Sequence, residues 1–305
     1  MKQPVVSLIV PIYGVEQYIG KCAESALSQS YPAIQFVFVN DGTKDRSMEV
    51  LSEVLARFPE RDVTIVNKEN GGLPQARLSG LKVAKGDYIM HLDSDDWLEP
   101  DAVSKLVAKA VETGADLVYY DFWKEYARRS KLDREKHYSA ANKTKYMRRL
   151  YNDGAYGYLW NKFCRRELYN GVFFPKFNMH EDVVVATQLI FKAARIEQLS
   201  VPLVHYRRDN PSASTRVGKK KRRGQMARNY LDLYEHYLPA LEASPIGPVV
   251  NDILLRAAWV AESLDKELYA ERPYLAAASK HLPLMPGHRV LLVQQLWLKL
   301  KILFP

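Results

Sequence analysis

Apolar residues gather into short runs at regular intervals through the first 121 positions: Val5–Val10, Gln35–Val39, Val63–Val66, Tyr88–Leu92 and Leu117–Tyr120. Each run is rich in β-branched or aromatic residues and is bounded by Gly, Pro, Asn or Asp, the pattern of a buried strand. Between the runs the spacing becomes helical. Tyr18, Ile19, Cys22, Ala26 and Leu27 line one face of the first such segment, and Val50, Leu51, Val54, Leu55 and Phe58 line one face of the second. Strands alternating with helices of this length predict right-handed βαβ units, and hence an α/β fold with a mostly parallel sheet covered by helices on both faces. Such sheets hold ligands beyond the carboxyl ends of their strands.

After Asp121 the alternation stops. Residues 122–149 carry 10 Lys and Arg against 3 acids and are rich in tyrosine, so residues 122–160 are read as a basic excursion facing an acceptor. A second basic segment, Arg207 to Arg228, contains the run Lys219–Arg223 and reads equally as a solvated loop. From Gln225 onward the pattern is helical, with Met226, Tyr230, Leu233, Tyr234, Tyr237 and Leu238 in one stripe and Val249 to Leu264 in another. The expected division is a catalytic domain over residues 1–215 and a helical region over 216–305. The last segment, Val290 to Phe304, holds Trp297 and is apolar apart from Gln294, Gln295, Lys299 and Lys301. It is too short and too polar to span a bilayer, and three readings stand: a membrane-interface helix, a homo-oligomer contact, or a core helix.

A chain of 305 residues with 47% hydrophobic content buries a sizeable core. Its net charge of +9 is unevenly spread: residues 1–121 carry 12 Lys and Arg against 18 Asp and Glu, and residues 122–305 carry 32 against 17. The basic second half therefore expects an anionic partner. Nucleic acid is the weakest choice, because the Lys219–Arg223 cluster lacks interleaved aromatics and no nucleic-acid module is recognisable. The start Met1-Lys2-Gln3-Pro4 followed by a short apolar run lacks the features of a secretion signal, and Cys22 and Cys164 read as buried free thiols. A cytoplasmic protein is expected, with any membrane contact peripheral and at the inner face of the plasma membrane.

Candidate chemistry lies at the strand ends. His91-Leu92-Asp93-Ser94-Asp95-Asp96-Trp97 crowds three carboxylates into one loop, an arrangement that a divalent cation relieves, and hard oxygen ligands suit Mg²⁺ or Mn²⁺ bridged to a diphosphate. The first strand exits through Pro11-Ile12-Tyr13-Gly14 into a helix carrying Glu16. Tyr13 there either stacks on a base or packs on the sheet. Asp41, in Asn40-Asp41-Gly42, either accepts a hydrogen bond from a base or ribose or caps a helix. Asn70-Gly71-Gly72 precedes a helix with Arg77, and its glycines permit positive φ and close approach to a ligand.

Taken in order, Val10-Pro11-Ile12-Tyr13, Asn40-Asp41-Gly42, Asn70-Gly71-Gly72 with Ala76-Arg77, Lys85-Gly86-Asp87-Tyr88 and Leu92 to Trp97 closely resemble family 2 glycosyltransferases of the GT-A fold. The resemblance is dense over residues 5–120. It continues more thinly through Leu159-Trp160-Asn161-Lys162, Arg165-Arg166-Glu167-Leu168, His180-Glu181-Asp182 and Tyr206-Arg207. It implies an inverting, metal-dependent hexosyl- or N-acetylhexosaminyltransferase using a UDP-sugar donor and Mn²⁺ or Mg²⁺. Pro11, Tyr13 and Asp41, with Glu16 nearby, would hold uracil and ribose, and Asn70 and Arg77 would flank the nucleotide. Asp93 and Ser94 would touch the ribose side, Asp95 with Asp93 would bind the metal, and Trp160 would support the acceptor sugar. Of Glu181 and Asp182, where such enzymes place the base, Asp182 is preferred. His205, Arg207, Ser212 and Ser214 would lie over the diphosphate, with Arg207 or Arg208 offsetting its charge. One departure is Leu78, where family members often carry Asn after Ala-Arg. The implied acceptor is a cell-surface glycan, teichoic-acid-like or lipid-diphosphate-linked. The alternative is a non-catalytic sugar-nucleotide-binding or scaffolding protein, against which the retained Asp93, Asp95 and Asp182 argue.

Overall fold

The computed structural model describes residues 3–151, 155–210 and 218–242. Four parallel strands form the first half of the sheet: β1 (Val6–Ile12), β2 (Ile34–Asn40), β3 (Asp62–Asn67) and β4 (Tyr88–His91). The second half is built from β5 (Trp97–Leu98), β6 (Leu117–Tyr126), β7 (Arg129–Asp133), β8 (Lys162–Arg165) and β9 (Ile196–Arg207). The order is β3-β2-β1-β4-β8-β6-β9-β5, with β7 beside the far end of β6. β8 is antiparallel to both β4 and β6, β5 to β9, and β7 to β6. The sheet is therefore mixed rather than mostly parallel. β7 returns on β6 by a tight hairpin, and β8 enters between β4 and β6 running against both, so the parallel order of the first four strands is not continued across the sheet.

Alternation along the strands assigns the two faces. On β1, Val6, Leu8, Val10 and Ile12 join one core with α1 (Ile19–Leu27), α2 (Ser47–Leu55) and α4 (Ala102–Thr113), whereas Ile9 faces Ala76 of α3 (Leu73–Val83). On β6, Leu117 and Tyr119 turn to a third cluster with α5 (Lys143–Tyr151), α6 (Glu181–Lys192) and α7 (Lys219–Glu242). The basic stretch after Asp121 is accordingly well anchored: Tyr138, Tyr146 and Met147 lie in that core. Lys219–Arg223, open to a loop reading, begins α7, and Ala227, Tyr230, Leu231 and Leu233 of that helix are buried in the same cluster as α6. Cys22 and Cys164 are buried free thiols. The stripes Val249–Leu264 and Val290–Phe304, and Ser212 and Ser214, lie outside the described residues. Among the described residues no helix is long and apolar enough to cross a membrane.

A buried polar network locks the turn before β4. The Ser7 hydroxyl donates to Gln35 Oε1 at 2.7 Å, and the same oxygen accepts from the Lys85 amide at 2.8 Å. The Gly86 amide in turn donates to Ser7 Oγ at 2.8 Å. A Cβ on Gly86 would stand 2.4 Å from the Ser7 backbone nitrogen and 2.8 Å from the Val6 carbonyl carbon, neither of which can rotate away. Gly86→Ala is therefore expected to cost about 1–3 kcal/mol of stability by chemical denaturation; a wild-type midpoint would contradict this packing.

Candidate active site

The parallel strands deliver the candidate residues to one edge. β1 ends in Tyr13, which is 54% exposed and free to meet a ligand face, while Pro11 beneath it is buried against β2. β2 ends in Asp41, which is 3% exposed. Its Oδ1 accepts from Lys68 Nζ at 2.5 Å and the Gly71 amide at 2.9 Å, and its Oδ2 accepts from the Gly72 amide at 2.9 Å. Asp41 thus clamps the loop that starts α3. Gly42 has φ +70°, and a Cβ there would meet the Asn70 nitrogen at 2.8 Å, so the two loops touch backbone to backbone. Asn70 is exposed at that rim. Glu16 is exposed, and its carboxylate accepts the Arg46 amide at the start of α2 at 3.0 Å; the described contact is with the helix end.

Arg77 lies inside, not beside, the site. It is 1% exposed, and its guanidinium donates to Asp93 Oδ1 at 2.6 Å and to Glu181 Oε1. Glu181 is itself 2% exposed. The acidic loop after β4 and the first turn of α6 are therefore joined through one buried cation. Asp182 is only partly buried, and its Oδ1 accepts from the Val183 amide at 2.8 Å. Of the adjacent pair, Glu181 is committed to Arg77 and Asp182 is left for other work. Underneath, both ring nitrogens of His91 lack partners, and burial together with the Arg77 charge holds its pKa well below the usual value, so the ring is neutral.

β9 completes the acidic loop from the other side. β5 pairs Trp97 with His205, which brings the end of β9 against Asp95 and Asp96. The Arg207 amide donates to Asp96 Oδ1 at 2.8 Å, its Nε to the Asp95 carbonyl at 3.1 Å, and Asn210 Nδ2 to Asp95 Oδ2 at 2.8 Å. The Arg207 guanidinium lies 4.9 Å from the Tyr18 ring centroid and 5.1 Å from that of Trp97. His205 is held between Glu125 (2.7 Å) and Glu99 (3.0 Å) and stacks on Trp97. Ser94 is 6% exposed and Trp160 2%, the latter beneath Tyr158 and Tyr206. Trp160 thus stiffens the wall and offers no open face to a sugar.

Burial and the Asp93 charge raise the Asp95 pKa; burial and then Asp95 and Asp93 raise that of Asp96 well above its ordinary value. Asp96 Oδ2 is buried without a partner. The loop thus carries more negative charge than its neighbours neutralise, with oxygen-only donors, and this fits a hard divalent cation. Among the described residues no three His, Cys, Asp or Glu side chains group to enclose a metal. Asp95 with Asp93 would supply the protein's share, leaving the remaining positions to phosphate oxygens and water.

Asn178 and Asn229 escaped the sequence reading, and Tyr230 was read only as part of an apolar stripe. Asn178 Oδ1 accepts the Leu73 amide at 3.1 Å, capping α3 from 105 residues away. Asn229, fully buried in α7, accepts from the Phe177 amide at 3.3 Å and donates to the carbonyls of Phe177 (2.7 Å) and Met179 (2.8 Å). Tyr230 meets the ring of His180, whose φ of 57° is left-handed, immediately before Glu181. The sequence signal for α7 was only an apolar stripe, which cannot announce a buried amide.

The Glycosyl transferase family 2 model matches residues 7–173. The glycosyltransferase EpsH of Bacillus subtilis (strain 168) is 32% identical over 228 residues, covering 72% of this chain, which spans 65% of that relative's length. S. aureus TarS 1-349, solved in complex with UDP-GlcNAc, superposes with a TM-score of 0.64 at 18% identity over 95% of this chain and 89% of its own. The mannosyltransferase PcManGT from Pyrobaculum calidifontis, solved with GDP-Man and Mn²⁺, gives a TM-score of 0.56 at 18% identity over 100% and 88%. The α/β architecture is thus that of GT-A glycosyltransferases.

The charge excess has a measurable sign. Because the folded pKa of Asp96 lies above the ordinary 3.8, its ionisation costs stability as pH climbs from that value through the folded pKa; at lower pH the cost disappears. In cation-free protein Asp96→Asn keeps the acceptor for the Arg207 amide and removes the charge. Its melting temperature should exceed wild type at pH 8, with the gap closing toward pH 4; a mutant less stable than wild type at pH 8 would refute the charge excess.

Proposed function

Because the chain belongs to glycosyl transferase family 2, we propose that it is an inverting transferase moving a hexosyl or N-acetylhexosaminyl group from a UDP-sugar to an acceptor hydroxyl of a cell-surface glycan. The observation that carries this reading is the Arg77 bridge, which joins the acidic loop after β4 to the first turn of α6, the turn that carries Asp182. Tyr13 stacks on the uracil, while Asp41 fixes the Gly71-Gly72 backbone that borders the nucleotide. Asp95, with Asp93 alongside, would hold Mn²⁺ or Mg²⁺, which when bound would supply positive charge to the leaving diphosphate. Arg207 adds a fixed positive charge on the same side, stacked on Tyr18 and Trp97.

Asp182 accepts the proton of the attacking hydroxyl while C1 of the donor sugar is approached from the face opposite the diphosphate, so that one displacement inverts the anomeric centre and needs no covalent intermediate. Glu181 is the positioning partner: its bond to Arg77 fixes the start of α6 and thereby the direction in which Asp182 projects. The acceptor is proposed to be a teichoic-acid-like or lipid-diphosphate-linked chain met at the inner face of the plasma membrane. A non-catalytic sugar-nucleotide binder would keep the donor site but have no use for Asp182.

Incubation with a panel of UDP-sugars and GDP-mannose in Mn²⁺, without acceptor, is expected to release nucleotide slowly from one UDP-sugar; release from none would remove the enzymatic reading. Asp182→Asn should lower transfer by about 10²–10⁴-fold with UDP affinity retained, and Asp95→Ala should abolish the gain in UDP affinity that Mn²⁺ provides. Asn229→Ala releases the loop before Glu181; its kcat should fall while the KM for donor stays near wild type, and a matching rise in KM would make the amide merely structural.

A further inference from the structure

Arg207 and Arg208 are neighbours that diverge. The strand alternation turns Arg207 toward Tyr18, Trp97 and the acidic loop, and Arg208 toward Tyr206, whose hydroxyl accepts from Nη1 at 2.9 Å beneath a guanidinium 5.2 Å from the ring centroid. The Arg208 amide donates to the Glu125 carbonyl at 2.7 Å, which lays this residue along the β6–β7 hairpin. At the tip of that hairpin Tyr126 pairs with Arg129, whose guanidinium sits 5.2 Å from the Tyr126 ring. Both arginines are exposed, and among the described residues neither has a carboxylate partner. Two cations of this region differ: Lys124 is paired with Asp133, and Arg207 reaches Asp209.

Tyr158 connects this cationic strip to the start of α6: its ring lies 5.4 Å from that of Tyr206, and a Cβ on the adjacent Gly157 would stand 3.1 Å from the Cα of Val183, the residue after Asp182. Burial, with Tyr206 and Asp182 nearby, raises the pKa of the Tyr158 hydroxyl. Both faces of its ring are covered, by Tyr156 at 5.4 Å and Trp160 at 4.8 Å, so it offers its hydroxyl edge. Buried Lys162 fixes that segment by donating to the carbonyls of Tyr156 (2.9 Å) and Tyr158 (2.8 Å). The wall next to Asp182 therefore presents hydroxyls and unpaired guanidinium groups rather than an open aromatic face. A neutral sugar gains from a stacking face; a charged chain gains from forked donors that match phosphate or carboxylate.

We propose that Arg208 and Arg129, with Tyr126, Tyr158 and Tyr206 between them and Asp182, form the acceptor subsite, and that it takes a saccharide or polyol chain bearing phosphodiester or carboxylate groups. This rests on Asp182 being the base of the proposed transfer. Successive anionic units meet Arg208 and then Arg129 as the chain runs outward along the hairpin, while its terminal hydroxyl reaches Asp182.

The test is direct binding, by titration calorimetry, of three oligomers of equal length: a polyol phosphate, a uronate-containing saccharide and a neutral saccharide. UDP with Mn²⁺ is titrated in parallel against wild type, Arg208→Gln, Arg208→Lys, Arg129→Gln and the double Gln variant. At least one anionic oligomer should bind wild type more tightly than the neutral one, and increasingly so at low salt. Arg208→Gln should lose about tenfold in that affinity, with Arg208→Lys between and the double variant weakest, and UDP affinity should hold. Whichever anion wins identifies the acceptor class. Equal binding of charged and neutral oligomers, an unaffected Arg208→Gln, or a parallel loss of UDP affinity would each overturn the subsite. Should Arg208→Gln fail to fold, Tyr206→Phe removes the hydroxyl that steers the guanidinium and must weaken the same oligomer. Loss of all UDP binding by wild type would instead strike the transferase reading, leaving the oligomer result to judge the subsite alone.

Discussion

The site is organised by one buried cation. Arg77 is almost wholly out of water and holds Asp93 at 2.6 Å on one side and Glu181 on the other. Such an arrangement gains little net stability over an apolar core, because desolvating three charges offsets most of their attraction, but taking away any one member strands the others at a cost of about 3–5 kcal/mol. Its value is geometric. Asp93 belongs to the loop after β4 and Glu181 to the first turn of α6, two segments far apart in sequence that the guanidinium, carried on α3, ties together directly. The neutral His91 beneath spares Arg77 a second positive charge.

α3 must itself be placed accurately for this to work. Its inner face approaches β1 so closely that a Cβ on Gly80 would stand 2.5 Å from Ile9 Cγ2, and its start is held from two directions, by Asp41 through the Gly71 and Gly72 amides and by Asn178 through the Leu73 amide. Gly72, with φ +84°, is the residue both holders share, and a Cβ there would meet Asn178 Oδ1 at 2.5 Å. The Gly71-Gly72 loop and the bridging arginine are thus mounted on one rigid piece, tied through Arg77 to the turn of α6 that carries the proposed base, and the proposed displacement with its atoms in line needs such fixity.

What the sequence made legible follows from how local the information is. The five strand runs and the helices bearing Cys22 and Val54 were readable because burial on one or two faces writes a period into a few consecutive residues. The strand-end loops were readable as acidic or glycine-rich for the same reason. β5, β7 and β8 were not: two to five residues with mixed polarity, they exist only because a neighbouring strand supplies hydrogen bonds. Arg77 was recognised as a site residue but placed beside the nucleotide, since nothing near it in sequence reveals that two acids, 16 and 104 residues away, pull it inward. Trp160 was expected to support an acceptor sugar, whereas its burial beneath Tyr158 and Tyr206 depends in part on β9 and is invisible in the sequence.

α7 carries this lesson furthest. The helix follows the portion of the chain that resembles the family, and its composition reads as a basic, amphipathic rod. Yet the segment Phe177–His180 has no regular structure to satisfy its backbone, and Asn229 supplies one acceptor and two donors to it from within the core. His180 is held in a left-handed conformation that a non-glycine residue adopts only when its surroundings compel it, and Tyr230 is part of that compulsion. Under the proposed transfer, Asp182 inherits the precision of this loop, so α7, which carries no residue proposed for the chemistry, helps to aim it. Drift in α7 would act first on the start of α6 and reach the Gly71-Gly72 loop and the acidic loop only at second hand, through Asn178 and Arg77, so under the proposed transfer it would lower rate before nucleotide affinity.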